Sequence, residues 1–252
     1  MMELSRFHRT IGYARSALIY ANPLRQPALR RFYRPFIRPG DTVFDIGAHF
    51  GDRSLAFAAL GAQVIAIEPQ PVARRVLNWR LRRYSATQIL GQAIGPEPGI
   101  AQLAVSDRHP TLATLSTQWR EGLAQKDPGF AHVQWNQQIE VEVTTLDALI
   151  ERFGVPIFCK IDVEGFEAEV LAGLSQPIHS LSFEYLAGAE PITQRCLDQL
   201  ESLGRYEYNV TVGERRRLEL NRWCDASEIR QWLAEHTHRA GSGDVYARVA
   251  RN

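Results

Sequence analysis

Between Asp41 and Pro69 an apolar strand pattern, a glycine-framed turn, a helix pattern and a second apolar strand follow one another without interruption. Thr42, Val43, Phe44, Asp45 and Ile46 read as a buried strand, and Gly47 and Gly51 bracket the turn Gly-Ala-His-Phe-Gly. A glycine-framed turn lets the backbone take positive φ and come close to a ligand. The helix expected from about residue 52 to 60 then aims its first N–H groups over that turn. Glu68 closes the second strand twenty-one residues after Gly47, about where a carboxylate binds ribose hydroxyls in open α/β sheets. This order constrains the chain to a doubly wound α/β fold with a nucleotide-type cofactor site at its first turn.

The glycine spacing narrows the cofactor. A dinucleotide site brings backbone against pyrophosphate with Gly-x-Gly-x-x-Gly, whereas this chain has Asp45-x-Gly47-x-x-x-Gly51. The pattern resembles motif I of methyltransferases dependent on S-adenosylmethionine (SAM), a cofactor with an ammonium, a carboxylate and a sulfonium in place of phosphates. An acidic strand end suits that positive charge. In the competing structural reading, Asp45 caps the helix and the glycines only tighten the turn.

A second segment, Lys160-Ile161-Asp162-Val163-Glu164-Gly165-Phe166-Glu167, resembles the Lys-x-Asp-x-Glu-Gly-x-Glu signature of the FkbM-type methyltransferase family. Ile67-Glu68-Pro69, Gln92-Ala93-Ile94-Gly95, Thr145-Leu146-Asp147 and Val170-Leu171-x-Gly173 follow in the family's order, and the resemblance covers roughly residues 40 to 212. It implies a Rossmann-like class I methyltransferase fold, a mostly parallel sheet with an antiparallel edge strand, and SAM as cofactor. It also implies O-methylation of a hydroxyl on a sugar, glycolipid or secondary metabolite. Family members often carry Asn where this chain has His49, so His49 is expected to bond the methionine moiety rather than act as a base.

Methyl transfer requires the accepting oxygen about 3 to 3.5 Å from the methyl carbon and a group to take its proton. Asp162 ends the expected central strand beside the first turn, where open α/β sheets bind ligands. It is the leading catalytic candidate and a possible cofactor contact, with Glu164 in the next turn and Glu184 at the end of a later strand beside it. The expected cofactor set is Asp45, Gly47, His49, Gly51, Glu68, Gln92, Ala93 and Asp162, with Gln92 and Ala93 bordering the adenine. Lys160 shares a strand face with Asp162 and can pair with it or only satisfy the sheet rim. Glu167 is expected to favour the N-terminus of the following helix. Asp162, Glu164 and Glu184 could gather around a divalent cation, but no ligand spacing demands one and no metal is assigned.

Strands are expected near 42–46, 63–67, 87–91, 100–105, 139–143, 156–162, 180–185, 206–212 and 244–249. Helices are expected near 53–60, 71–83, 146–153, 166–173, 190–203 and 226–236, the last opened by an Asp225/Glu228 capping box. At 252 residues with no Gly, Ser or Pro-rich linker, the chain reads as one methyltransferase domain over 41–252 preceded by a basic helical extension over 1–40. That extension carries eight arginines against Glu3 alone. It is either a basic cap for an anionic substrate or surface, or a solvated helix pair covering the sheet edge and packed through its aromatic residues. The irregular stretch 107–138, with His109, Trp119, Phe130, His132 and Trp135, is expected to be a substrate lid, with a peripheral hairpin as the alternative.

The net charge of +1 gives no bulk attraction for nucleic acid. No apolar run approaches the roughly 18 to 20 residues of a membrane span, and no signal-peptide core is visible, so a cytoplasmic location is expected. The three cysteines lack metal spacing and read as reduced structural thiols. The expected partner is a small-molecule or glycan acceptor, with oligomeric state left open. Two competing functions are weighed: nucleic-acid methylation and a non-catalytic SAM-binding scaffold. Against the first, the chain has no Asn/Asp-Pro-Pro-aromatic motif and no loop cysteine placed as a nucleophile. The complete cofactor motif with Asp162 argues against the second.

Overall fold

A computed structural model describes residues 25–106, 113–116, 135 and 137–250. In chain order the elements are α1 (Gln26–Tyr33), β1 (Thr42–Ile46), α2 (Asp52–Ala59), β2 (Gln63–Ile67), α3 (Pro71–Leu81), β3 (Thr87–Leu90), β4 (Ala93–Ile94), β5 (Gly99–Val105) and β6 (Ala113–Thr114). They continue as β7 (Gln137–Thr144), α4 (Leu146–Phe153), β8 (Phe158–Ile161), α5 (Glu167–Ala172), β9 (Ser180–Leu186), α6 (Glu190–Leu203), β10 (Tyr206–Val210), α7 (Ala226–Ala240) and β11 (Ser242–Val249).

Seven strands form the main sheet in the order β10-β11-β9-β8-β1-β2-β3. Strands β3, β2, β1, β8 and β9 are parallel, while β11 runs antiparallel between β9 and β10. The antiparallel pair therefore closes one edge by insertion: the last strand in sequence lies inside the penultimate one. Strands β1 and β8 are almost wholly buried, as parallel strands covered on both faces require.

One face is covered by α4, α5, α6 and α7 through Leu149, Val170, Leu197 and Ile229. The other is covered by α1, α2 and α3 through Tyr33, Phe57 and Leu77. Helix α1 thus lies on the face of the sheet rather than over its edge. Tyr33 meets Phe57 and Phe158 edge-on, at ring separations of 4.8 and 5.6 Å, so residues 25–40 share the domain's core.

The segments expected as strands at 100–105 and 139–143 leave the main sheet. As β5 and β7 they pair antiparallel over their length, within a second sheet of order β4-β7-β5-β6. Their half-exposed patterns suit a sheet buried on one face only. This sheet docks beside α5 through a close backbone approach: a Cβ on Gly173 would lie 2.4 Å from the Gly95 carbonyl oxygen. Glycine there lets β4 approach the mouth of the main sheet.

Helix α7 starts with the expected capping box. The Asp225 carboxylate accepts the Glu228 N–H at 2.9 Å, and the Glu228 carboxylate accepts the Asp225 N–H at 3.3 Å. Cys159, Cys196 and Cys224 are free and buried. No helix among the described residues is long and apolar enough to cross a membrane.

Candidate active site

The turn after β1 is built by long-range constraints on a short sequence. Gly47 has φ 79°, and a Cβ on it would lie 1.8 Å from the Asp162 carbonyl oxygen. Only glycine lets the turn lie against the end of β8. The Gly47 and Ala48 N–H groups both donate to the Ile67 carbonyl, at 3.0 and 2.9 Å, tying the turn to the end of β2. His49 follows in the left-handed region at φ 46°. Its N–H donates to Glu68 Oε2 at 2.8 Å, and the Gln70 N–H donates to Glu68 Oε1 at 2.8 Å.

Glu68 is therefore a buried acceptor that organises the turn and also lines the cleft. Burial pushes its carboxyl up to about 7 despite these two N–H donors. Burial also pulls the His49 imidazole down to about 4, leaving a neutral ring against Phe50 at 3.9 Å between centroids. Neutral at physiological pH, His49 suits hydrogen bonding better than charge pairing.

These groups open onto a cleft of about 970 Å³. Asp45, Gly47, His49, Glu68, Ala93, Asp162 and Glu164 line it, with apolar walls from Ile94, Leu103 and Phe166. Glu184 of the expected catalytic set and two residues of the expected cofactor set stand apart from the lining. Gly51 is the N-terminal cap position of α2, in the left-handed region. The Gln92 amide donates to Glu142 of β7 at 3.3 Å, because β4 pairs with β7 and turns the preceding residue toward the second sheet. Ala113, Thr114 and Leu115 also line the cleft. Gln137 and Gln138 of the expected lid belong to β7, and most of the rest, with His109, Trp119, Phe130 and His132, lies outside the described residues.

At the strand ends the three expected catalytic carboxylates converge: oxygens of Asp162, Glu164 and Glu184 all lie within 4.8 Å of one another. Glu164 reaches the cluster from a positive φ of 54°. Glu184 comes from β9, two residues beyond Ser182, which is in register with Lys160. Burial, and then the charge of neighbouring carboxylates, raises both Glu164 and Glu184 well above the usual carboxylate range. Asp162 is held low: burial opposes its charge, but Lys160 and Arg53 outweigh it. The group has the geometry to share a proton or to offer oxygen ligands to a hard cation. Glu167 takes a structural position, its Oε1 accepting the Val163 and Gly165 N–H groups at 3.1 and 3.2 Å.

Lys160 is the hub of the charges behind the cleft. Its side chain is 2% exposed, and its ammonium lies 2.7 Å from Asp162 and 3.9 Å from Asp244. Burial would lower its pKa, but these carboxylates reverse the direction and keep it raised. Asp45, its register neighbour on β1, accepts the Ser54 hydroxyl at 2.5 Å. Sequence reasoning missed Asp244 and the cleft-lining Arg53. Asp244 is opposite Glu184 in the β11–β9 register, a pairing with no local sequence signal. Arg53 follows Gly51 by two residues in the first turn of α2, and that position was the available clue.

A family model described as Methyltransferase FkbM domain matches residues 45–240. The 31-O-demethyl-FK506 methyltransferase FkbM of Streptomyces tacrolimicus is 31% identical over 159 residues, covering 55% of this chain and 61% of that protein. The chain thus matches less than two thirds of that relative's length. Two solved structures resemble it more distantly. A TehB-like SAM-dependent methyltransferase from Corynebacterium glutamicum has a TM-score of 0.48 at 9% identity, covering 99% of this chain and 100% of that one. A precorrin-6y C5,15-methyltransferase from Geobacter metallireducens has a TM-score of 0.47 at 9% identity, covering 89% and 87%.

Proposed function

Because the chain belongs to the FkbM methyltransferase family, we propose that it transfers a methyl group from SAM to a hydroxyl oxygen of a sugar, glycolipid or secondary metabolite. When bound, SAM supplies a methyl carbon activated by the adjoining sulfonium. In this reading Glu68 accepts the ribose hydroxyls, Ala93 borders the adenine, and Gly47, His49 and Asp45 surround the methionine end. The acidic lining complements the cofactor's ammonium and sulfonium. The chain's own part in the transfer would be to hold the acceptor hydroxyl at the strand ends and to take its proton on a carboxylate.

The observation that carries the proposal is the convergence of Asp162, Glu164 and Glu184 at the strand ends beside the cleft. Asp162, kept ionised by Lys160, orients the acceptor hydroxyl by accepting its hydrogen bond. The raised proton affinity of Glu164 and Glu184 leaves Asp162 as the ionised carboxylate of the group, the one free to take the hydroxyl proton, which its close neighbours can then share.

Asp162→Asn tests this assignment, because it keeps size and most hydrogen bonding while deleting the charge. Single-turnover methyl transfer to a panel of hydroxylated acceptors at saturating SAM should slow by about 10² to 10⁴-fold, with the folded state retained. A near-normal rate would move the chemistry to Glu164 and Glu184 alone.

A further inference from the structure

The methyl-transfer reading leaves a second large cavity unused. It runs along α1 and the loop between β10 and α7, with about 1300 Å³ of space open to solvent. Arg31, Phe32, Phe36, Arg216, Trp223 and Arg248 line it. It shares no described lining residue with the cofactor cleft. His179 and Ser180, at the start of β9, also border it. Glu184 of the acidic cluster is four residues further along that strand, about 13 Å at the usual rise, so the two spaces border different ends of β9.

The chemistry of this cavity is the reverse of the cleft's. None of its described lining residues is acidic, and four are arginines: Arg31, Arg216, Arg217 and Arg248. Arg248 is held by Glu207 at 2.8 Å and lies 4.3 Å from the Trp223 ring centroid, while Arg217 has Glu219 at 3.6 Å. Arg31 and Arg216 form no ion pair among the described residues. The Arg216 Nε is shielded from solvent and has no hydrogen-bond partner among them. A shielded donor without an acceptor is costly, so a small shift of this side chain that brought Nε to a ligand oxygen would be favoured. Burial, followed by the charge of Arg25, lowers the Arg216 pKa against the opposing charges of Glu214 and Asp52.

Guanidinium groups match phosphate oxygens in a fork geometry, and Phe32, Phe36 and Trp223 give an apolar wall for whatever the phosphate esterifies. The space exceeds what a bare phosphate ion fills. We propose that this cavity binds an organic phosphate ester, with Arg31 and Arg216 taking the phosphate oxygens, as a docking site separate from methyl transfer. The ester is either a soluble phosphate compound or a phospholipid headgroup. The site stands whether or not the acceptor assignment above is right.

The test uses the full chain, with calorimetric titration of inorganic pyrophosphate and flotation on phosphatidylcholine vesicles with and without phosphatidic acid. Pyrophosphate should bind the wild type and weaken with added salt. Arg31→Gln and Arg216→Gln should each reduce affinity by about tenfold or more, leaving S-adenosylhomocysteine affinity and the thermal midpoint unchanged. Arg31 is exposed on α1, so its variant keeps the test valid if Arg216→Gln folds poorly. Flotation only with phosphatidic acid, lost in the same variants, assigns the lipid headgroup; pyrophosphate binding without flotation assigns a soluble ester. The proposal is overturned if the wild type binds neither probe, or if both variants bind as the wild type does.

Discussion

Glu68→Gln separates two roles that the structure assigns to one carboxylate, holding the turn and receiving the cofactor's ribose. Both oxygens already accept a backbone N–H at 2.8 Å, and burial raises the carboxyl from an ordinary 4.5 to about 7. The folded protein therefore binds this proton more tightly than the unfolded chain does. Ionisation costs nothing below about pH 4.5, costs progressively more up to about pH 7, and reaches about 3 kcal/mol above it. Glutamine removes that cost but turns an amide N–H toward one of the two backbone donors, losing about 1 to 3 kcal/mol at every pH. The variant should thus be less stable than the wild type near pH 4.5 and as stable or more so near pH 8, as read from thermal midpoints at both values.

Binding should show the opposite preference, because ribose hydroxyls donate to the ionised form. Calorimetric S-adenosylhomocysteine affinity of the wild type should fall about tenfold per pH unit below 7, while Glu68→Gln should be nearly flat there. At pH 8 the variant should bind about ten to a hundredfold more weakly, the worth of charge-assisted hydrogen bonds. A wild-type affinity independent of pH, or a variant that keeps the wild-type pH profile, would refute the assignment of Glu68.

Lys160→Met should destabilise the fold by about 3 kcal/mol, the lower end for a broken buried pair, since the Asp162 side chain is 35% exposed; calorimetry should show a thermal midpoint lower by roughly 10 °C. A midpoint within a degree or two of wild type would mean that water can stand in for the ammonium between Asp162 and Asp244. Gly47→Ala puts a Cβ 1.8 Å from the Asp162 carbonyl, so S-adenosylhomocysteine binding should be abolished even in material that remains folded by circular dichroism.

The parts of this fold readable from sequence are those fixed by neighbours close in the chain. Strands β1 and β2 and helices α4 and α6 begin and end where their apolar patterns and turn residues place them. The Asp225 cap depends only on Glu228 three residues on. Pairings between distant segments were not readable. An alternating pattern such as β5 or β7 says that one face is buried, not which sheet buries it, so the second sheet and the turning of Gln92 toward Glu142 had no local signal. Helix α1 was legible only as part of a basic helical extension over 1–40, without bounds or a face to cover; Leu29 and Tyr33, at helical spacing, are its buried residues.

The same distinction explains the site. Asp162, Glu164 and Glu184 could be chosen in advance because carboxylates at the ends of parallel strands share one rim. Asp244 could not, because β11 runs antiparallel and its acid arrives from the opposite chain direction, opposite Glu184. Once there, Asp244 gives Lys160 a second carboxylate at 3.9 Å beyond the one at 2.7 Å. A lysine 2% exposed and held by a single partner would be free to follow Asp162 outward toward solvent. With Asp244 behind it on a different strand, the ammonium is drawn back into the sheet. Asp162 is thereby presented to the cleft with its charge intact and its position set by groups on β8 and β11.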